Sequence, residues 1–214
     1  MHASTVSITT PPFNPPTGLH ARSFARHRAV SFYEAETEIY AQGERGGAVY
    51  RIEYGAVRLY RLLADGRRQV VAFYIAGETF GFEARPMRSF FAESIAPTGL
   101  TTIDTEGVDC CPSDLMSLAL ASMVRAQEHL SVVGRQSALE KLAVFLVDLH
   151  DRHRGDGRIA LPMTRIDIGD YLGMTIETVS RSFSKLRAMG IIRLESTRSV
   201  EVLNLKRLRL MPNG

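Results

Sequence analysis

The spacing of apolar residues divides the chain into a strand-rich first part and a helix-rich second part. Between residues 36 and 112, short apolar or β-branched runs alternate with turn signals such as Asp65-Gly66 and Ala76-Gly77. An Asp-Gly pair between two such runs is typical of a tight β-hairpin. Many short strands at roughly ten-residue spacing predict a small antiparallel barrel or jelly roll.

A long helix with two apolar faces is predicted after the strands. Residues 112–114 form a helix-start signal, and apolar residues then recur every three or four positions, as in a coiled-coil seam. We expect one face to pack on the protein's own barrel and the other on the same helix of a second copy. The alternative is a helix buried inside one domain. The expected dimer-interface residues are Met116, Ala119, Met123, Ala126 and Leu130.

Residues 164–181 are the most informative stretch, because two short helical patterns there flank a turn at Gly173. Thr164 precedes the first helix and Asp167 follows three residues later, which is the spacing of an N-terminal capping arrangement. Thr175 is a suitable N-cap for the second helix. This layout predicts a helix-turn-helix, whose second helix would lie in the major groove of DNA.

The region after this motif completes the domain plan. Apolar runs at 191–194 and 200–203 flank a polar segment that contains Arg198, which predicts a two-stranded wing. The fold class is therefore α+β. The predicted regions are a flexible arm over 1–25, an antiparallel β-roll over 26–112, a dimerisation helix over 113–136 and a winged helix-turn-helix domain over 137–214.

Composition and charge agree with a globular nucleic-acid-binding protein. The chain is 45% hydrophobic and 23% charged. It has no apolar run near the ~20 residues that a membrane span needs and no apolar signal-peptide core at its start, so we expect a cytoplasmic protein. The net charge is only +3, but residues 175–214 hold 8 basic and 3 acidic residues. The positive excess therefore coincides with the predicted DNA-binding region.

Catalytic and metal-binding chemistries find little support in the sequence. The six histidines lie at positions 2, 20, 27, 129, 150 and 153, outside the predicted strands, which argues against a barrel metalloenzyme. Cys110 and Cys111 are the only cysteines, too few for a cluster that takes four cysteine ligands. We therefore expect no enzymatic activity, no cofactor and no metal site.

The order of arm, β-roll, long helix and winged helix-turn-helix resembles the CRP/FNR superfamily of bacterial transcription regulators. The resemblance covers the chain from about residue 36 to the C-terminus. It implies a homodimeric regulator, an activator, that binds palindromic DNA and contacts RNA polymerase. The most specific segments are DGRRQVVAFYIAGETFGFEA (65–84), LEKLAVFLVDL (139–149) and DIGDYLGMTIETVSR (167–181).

Two branches of the superfamily differ at identifiable positions. In the cyclic-AMP-binding catabolite activator proteins, the recognition helix begins with Arg-Glu-Thr-Val. Their barrel carries a Gly-Glu element and a later Arg-Ser or Arg-Thr pair, which hold the cyclic phosphate and ribose. Here Ile176 stands at the position of the helix arginine, and the pair aligns with Ala92-Glu93, whose carboxylate would repel a phosphate. These differences favour the FNR branch over the cyclic-AMP branch.

Within the FNR branch, the chain most resembles the FixK-type members. FNR itself holds an iron–sulfur cluster through cysteines near its N-terminus, whereas this chain has no cysteine before Cys110. The FixK-type regulators lack the cluster and control microaerobic respiration and nitrogen-fixation genes. The alternative is a CRP-like regulator whose β-roll binds a small effector, either a cyclic nucleotide or haem.

The resemblance and the chemistry of the major groove together assign the base-reading residues. Arg181 can place two donors on guanine O6 and N7, and Glu177 can accept from a cytosine amino group. Ile176 and Ser180 suit a thymine methyl group and neighbouring bases. These four positions resemble the reading of a TTGA-type half-site. The alternative for Glu177 and Arg181 is an ion pair within the helix, since they lie four residues apart.

Phosphate contacts would fix the register of the protein on DNA without specifying sequence. The expected phosphate-contacting residues are Arg165, Thr175, Thr178 and Arg198. The alternative for each is an ordinary helix cap or a surface charge.

Overall fold

Eight strands form a β-roll in the computed structural model, which describes residues 29–103, 112–135, 137–153 and 157–211. They pair into two four-stranded antiparallel sheets, so the predicted antiparallel β-roll is confirmed. One sheet has the order β1-β8-β3-β6 and the other the order β2-β7-β4-β5. The strands are β1 (Ser31–Tyr33), β2 (Thr37–Tyr40), β3 (Val49–Tyr54), β4 (Ala56–Leu62), β5 (Arg68–Ile75), β6 (Thr79–Phe80), β7 (Phe91–Ser94) and β8 (Thr98–Ile103).

An aromatic and aliphatic core fills the space between the two sheets. Phe80 and Ile52 are fully buried there, and the rings of Tyr40, Tyr50 and Phe80 pack against one another with centres 5.3 to 6.3 Å apart. The Asp65-Gly66 turn joins β4 to β5, and Gly66 adopts the left-handed conformation with φ of 80°. The predicted hairpin at this turn is therefore confirmed.

Among the residues that the structure describes, five helices follow the β-roll, and the longest comes first. This helix, α1, has the exposed side chains Met116, Met123 and Leu130 on one side. Its Val132 is buried against the rest of the chain. The helices are α1 (Pro112–Val133), α2 (Ala138–His153), α3 (Arg165–Leu172), α4 (Ile176–Ala188) and α5 (Leu205–Leu210).

The wing has three strands, one more than the two expected from the sequence. Its strands are β9 (Arg158–Ala160), β10 (Ile192–Ser196) and β11 (Ser199–Val202), in the order β10-β11-β9. The additional strand is β9, in which Ile159 pairs with Val200 and both residues are buried. A three-residue strand that follows a run of charged residues has too little apolar pattern to be recognised from sequence.

A second apolar core is shared between the β-roll and the helical part of the chain. Phe73 and Ile75 from β5 pack in one cluster with Phe145 of α2, Ile168 of α3 and Phe183 of α4. Because this core crosses the boundary, the helix-turn-helix packs directly on its own β-roll. The arm expected over 1–25 and the Cys110-Cys111 pair lie outside the described residues.

Candidate nucleic-acid interface

Local hydrogen bonds fix the first helix of the helix-turn-helix, α3. Thr164 is its N-cap: the Thr164 hydroxyl accepts from the Asp167 amide at 3.1 Å, and the Asp167 carboxylate accepts from the Thr164 amide at 2.9 Å. This is the reciprocal capping box that the spacing of the two residues predicts. The sequence alone therefore identified the start of α3.

The turn between the two helices depends on two glycines. Gly173 ends α3 in the left-handed conformation with φ of 65°, which favours a residue without a side chain. Gly169 allows a close approach, because a Cβ there would lie 2.6 Å from the Met174 carbonyl oxygen. The two helices are therefore joined by a tight turn.

The recognition helix α4 has a buried face and an exposed face. Val179, Phe183 and Leu186 are buried at helical spacing against the shared core. On the opposite side, the four predicted base-reading residues, Ile176, Glu177, Ser180 and Arg181, are all exposed in the first turns of the helix. The structure thus brings these four side chains together on one accessible surface.

Glu177 lies in an electrostatic setting that favours its charged form. Its backbone amide, the Thr175 hydroxyl and the positive charge of Arg181 together lower the pKa of the Glu177 carboxyl. A charged carboxylate is an acceptor that suits a cytosine amino group. The same position near a helix N-terminus also stabilises the helix itself.

The predicted phosphate-contacting residues lie at the start of α4, on the wing and on α3. The Thr175 and Thr178 hydroxyls lie 3.1 Å apart at the N-terminus of α4, where Thr175 also caps the helix. Arg198 is exposed on the wing, and its guanidinium donates to the Pro162 carbonyl at 2.9 Å. Helix N-termini and arginines are both suited to phosphate oxygens.

The side chain of Arg165 is only partly exposed to solvent, which is less than we expected for a phosphate-contacting residue. Its guanidinium lies 3.3 Å from the centre of the Phe183 ring, a cation–π contact between α3 and α4. Burial lowers the pKa of Arg165 to about 10, and its Nη1 is buried without a hydrogen-bond partner among the described residues. Arg165 nevertheless remains partly exposed, and a guanidinium is suited to a phosphate oxygen.

The β-roll also contains an arginine–serine pair shortly before Ala92-Glu93. Arg88 and Ser89 lie downstream of Gly77-Glu78 in the chain. The absence of the phosphate-binding arginine, which rests on the alignment with Ala92-Glu93, stays a prediction.

The side chains of Arg88 and Glu78 both make contacts within the protein. The Arg88 guanidinium donates to the Gly81 and Ala48 carbonyls, at 2.7 Å each, and lies 4.1 Å from the centre of the Tyr40 ring. The Glu78 carboxylate is paired with Arg152 of α2 at 2.8 Å. In this structure, neither side chain is free to bind a ligand.

Glu93 is also paired within the protein. Its carboxylate lies 2.9 Å from Arg58 Nη2, in a charge cluster between β4 and the helix-turn-helix. The repulsion of a phosphate predicted for Glu93 is therefore weakened by the neighbouring guanidinium. Within residues 29–103, 112–135, 137–153 and 157–211, no group of three or more metal-ligating side chains comes together.

Comparisons with known proteins define the class to which this arrangement belongs. Residues 30–106 match the cyclic nucleotide-binding domain family, and residues 140–211 match the Crp-like helix-turn-helix domain family. A β-roll of the first kind followed by a helix-turn-helix of the second is the plan of a DNA-binding transcription regulator. The chain belongs to the CRP/FNR family.

Individual relatives place the chain among the FixK-type members. It is 48% identical to the nitrogen fixation regulation protein FixK of Rhizobium meliloti, over 87% of this chain and 88% of that protein. It is 36% identical to the FixK protein of Azorhizobium caulinodans, over 83% of this chain and 76% of that one. The structure of FixK2 from Bradyrhizobium japonicum superposes with a TM-score of 0.79 at 36% identity, covering 85% of this chain and 96% of that one. The predicted FixK-type assignment is confirmed.

The described helices also bear on membrane association. None of those in the ranges given above combines the length and apolar character required to cross a membrane.

Proposed function

We propose that this protein is a homodimeric activator in the cytoplasm that binds a TTGA-type palindrome and controls microaerobic, anaerobic or nitrogen-fixation genes. The exposed set Ile176, Glu177, Ser180 and Arg181 carries the proposal, since it combines a guanine-reading arginine with a cytosine-reading carboxylate. The nitrogen-fixation role is supported by the names of the FixK relatives. Contact with RNA polymerase is part of the same proposal and is supported by membership of this family of regulators.

DNA binding would use two kinds of contact, to phosphates and to bases. Thr175 and Thr178 at the start of α4, Arg165 beside it and Arg198 on the wing would hold phosphates and set the register. The four base-reading side chains would then select the sequence. Phosphate contacts supply affinity that weakens with salt, whereas base contacts supply discrimination.

Arg181→Ala tests the base-reading part of the proposal. We expect it to lose about 1–3 kcal/mol of discrimination per half-site while salt-dependent non-specific binding persists. Fluorescence anisotropy with a TTGA palindrome and a scrambled duplex measures both. Arg187→Ala is the matched control, because Arg187 is an exposed arginine in the last turn of the same helix. Wild-type affinity of Arg181→Ala for the palindrome would contradict the assignment.

The dimer is supported by the exposed apolar face of α1. Met116 is 61% exposed, Met123 52% and Leu130 71%, while the smaller Ala119 and Ala126 lie between them on the same face. A large apolar stripe on a soluble chain marks an interaction surface. A second copy would bury it and would place the two recognition helices about one DNA turn apart, roughly 34 Å.

Met123→Glu tests this interface. We expect the variant to sediment as a monomer, because a charge would be buried in an apolar seam. Met87→Glu is a matched control, since Met87 is a similarly exposed methionine on the β-roll, at 50%. An intact dimer in the Met123→Glu variant would remove α1 from the proposal.

A second candidate function is effector binding by the β-roll. The observation that favours it is the presence of Gly77-Glu78 followed by Arg88-Ser89 in a chain that matches the cyclic nucleotide-binding domain family. Binding would require Arg88 to leave the Gly81 and Ala48 carbonyls. Calorimetric titration with cyclic AMP, and an absorption spectrum of the purified protein for haem, distinguish this candidate from an effector-free regulator.

A further inference from the structure

A buried group of charges joins the helix-turn-helix to its own β-roll. Asp167 of α3 is only 1% exposed, although it carries a carboxylate. Two arginines from the β-roll reach it: Arg58 of β4 lies 2.9 Å from Asp167 Oδ1, and Arg68 of β5 lies 2.6 Å from the same atom. An acidic residue of the DNA-binding motif is therefore neutralised by a different part of the fold.

The two oxygens of Asp167 have separate partners. Oδ2 accepts from the Thr164 amide and hydroxyl at 2.9 and 2.7 Å and so completes the cap of α3. Oδ1 accepts from the two β-roll arginines. One carboxylate thus fixes the start of α3 and binds it to strands β4 and β5. A shift of the strands relative to the helix would break one set of bonds or the other.

The arginines are themselves held in position by further carboxylates. Arg58 is 2.6 Å from Glu36 and 2.9 Å from Glu93, and these acids with Asp167 raise the pKa of Arg58 against the opposing effect of burial. Arg68 divides its donors between Asp167 and Asp170, the latter also on α3. Removing one member leaves buried charge without a partner, which is more costly than the pair is worth.

The position of α3 determines that of the recognition helix. Gly169 allows the Met174 backbone to approach α3, where the Met174 amide donates to the Gly169 carbonyl at 2.9 Å, and Arg165 of α3 lies on the Phe183 ring of α4. With the motif packed in this way, Ile176 and Arg181 are exposed, whereas Val179 and Phe183 of the same helix are buried in the shared core. The packed arrangement therefore leaves the base-reading face accessible.

We infer that Arg58 and Arg68 are positioning residues for DNA binding, which act through Asp167 to hold the recognition helix in its DNA-reading orientation. They touch no DNA themselves. This inference rests on the proposed function, because its readout is binding to the palindrome. It assigns the β-roll an indirect part in DNA recognition, through the position of α3, that needs no bound effector.

Arg68→Met is the primary test, since Arg68 is partly exposed and its loss is the milder one. We expect specific binding to weaken about tenfold, equivalent to 1.4 kcal/mol, with an unchanged salt slope because no phosphate contact is removed. Arg61→Met is the matched control: it removes the same charge from β4, where the exposed Arg61 donates to Gln69 at 2.9 Å. Anisotropy titrations with the palindrome and a scrambled duplex, at several salt concentrations, measure the effect.

Two further variants keep the test decisive. Arg68→Lys retains the charge but lacks the planar guanidinium, which reaches Asp170 through Nε and Asp167 through Nη2, so we expect an intermediate loss. In the double variant Arg68→Met/Asp167→Asn, the loss should be well below the sum of the single losses, because both changes act on one contact. Urea unfolding at the titration temperature confirms that each variant is folded.

The outcomes separate the inference from the proposed function. If the wild type does not prefer the palindrome, the proposed function fails. If the wild type binds and Arg68→Met and Arg68→Lys bind like Arg61→Met, the positioning role is wrong. Tighter binding by Arg68→Met would also overturn it, since the contact would then be autoinhibitory.

Discussion

The two faces of the helix-turn-helix use charge in opposite ways. On the outward face, which carries the base-reading residues of α4, Arg181 and Glu177 are exposed to solvent. On the inward face, Asp167 and Asp170 are matched by arginines of the β-roll at 2.6 to 3.0 Å. Exposed charges contribute little to folding stability, whereas a buried charge must be matched or it is strongly destabilising.

The difference separates two properties of one motif. The outward side chains can be changed with little effect on the fold, because they make few contacts within it. The inward side chains are fixed by distant partners and by a shared apolar core that includes Phe73, Phe145 and Phe183. Sequence specificity and attachment to the β-roll therefore depend on different residues of the same short segment.

The largest expected contrast comes from truncating one apolar side chain on each face. Phe183→Ala should cost about 3–5 kcal/mol of unfolding free energy, because Phe183 is 1% exposed in the shared core. Ile176→Ala, on the outward face, should change it by no more than about 0.5 kcal/mol. Urea unfolding of the two variants measures both values. Equal losses would show that the two faces are not energetically distinct.

The pH dependence of folding stability tests the packing of α1 on the inward face, because His129 of α1 contacts Tyr171 of α3. This residue of α1 stacks on Tyr171 of α3, with ring centres 3.9 Å apart, and its Nε2 lies 2.7 Å from the Tyr171 carbonyl oxygen. Burial lowers the pKa of His129 below its ordinary value of 6.5, despite the opposing effect of that hydrogen bond. The unfolded chain therefore binds the proton more readily, and folding stability present above pH 6.5 is lost as the pH falls toward the lowered pKa.

The loss can reach about 1.4 kcal/mol per pH unit for one proton. We expect the unfolding free energy of the wild type to decrease from pH 7.5 to 5.5 more steeply than that of His129→Gln. His150→Gln, a change in a histidine near the end of α2, serves as the control. Parallel pH profiles for the wild type and His129→Gln would show that the histidine does not sense the packing of α1 on α3.

The smallest effect is expected at the start of the outward face. Thr175→Ala removes the hydroxyl that accepts from the Thr178 amide and should cost about 1 kcal/mol. Thr175→Ser keeps the cap and should leave the unfolding free energy close to that of the wild type. If both variants lose the same amount, the methyl group rather than the hydroxyl is responsible.

Features encoded within a few residues were predictable from the sequence. The capping box of Thr164 and Asp167, the N-cap Thr175 and the left-handed Gly173 each depend on local spacing, and all are present. The Asp65-Gly66 hairpin was equally local. The exposure of the four base-reading residues followed from helical periodicity once the start of α4 was known.

Features that depend on distant pairing were missed. Strand β7 has only four residues and lies between β2 and β4, so its partners rather than its pattern define it. Arg58 and Asp167 are separated by 109 positions, and nothing local marks either as a partner of the other. Glu93 shows the same limit, since its role was inferred from alignment with a ligand site, whereas it pairs with Arg58.

The division between the two faces has a consequence for engineering and for divergence among related regulators. The base-reading positions can be exchanged for those of another regulator as a small cassette, because their side chains lie outside the packed interior. An exchange of the whole helix-turn-helix is different, because Asp167 and Asp170 need the arginines Arg58 and Arg68 as partners. The β-roll of the receiving protein would have to carry equivalent arginines. A chimera made at the apparent domain boundary would separate these partners, whereas one made within the first turns of α4 would keep them together.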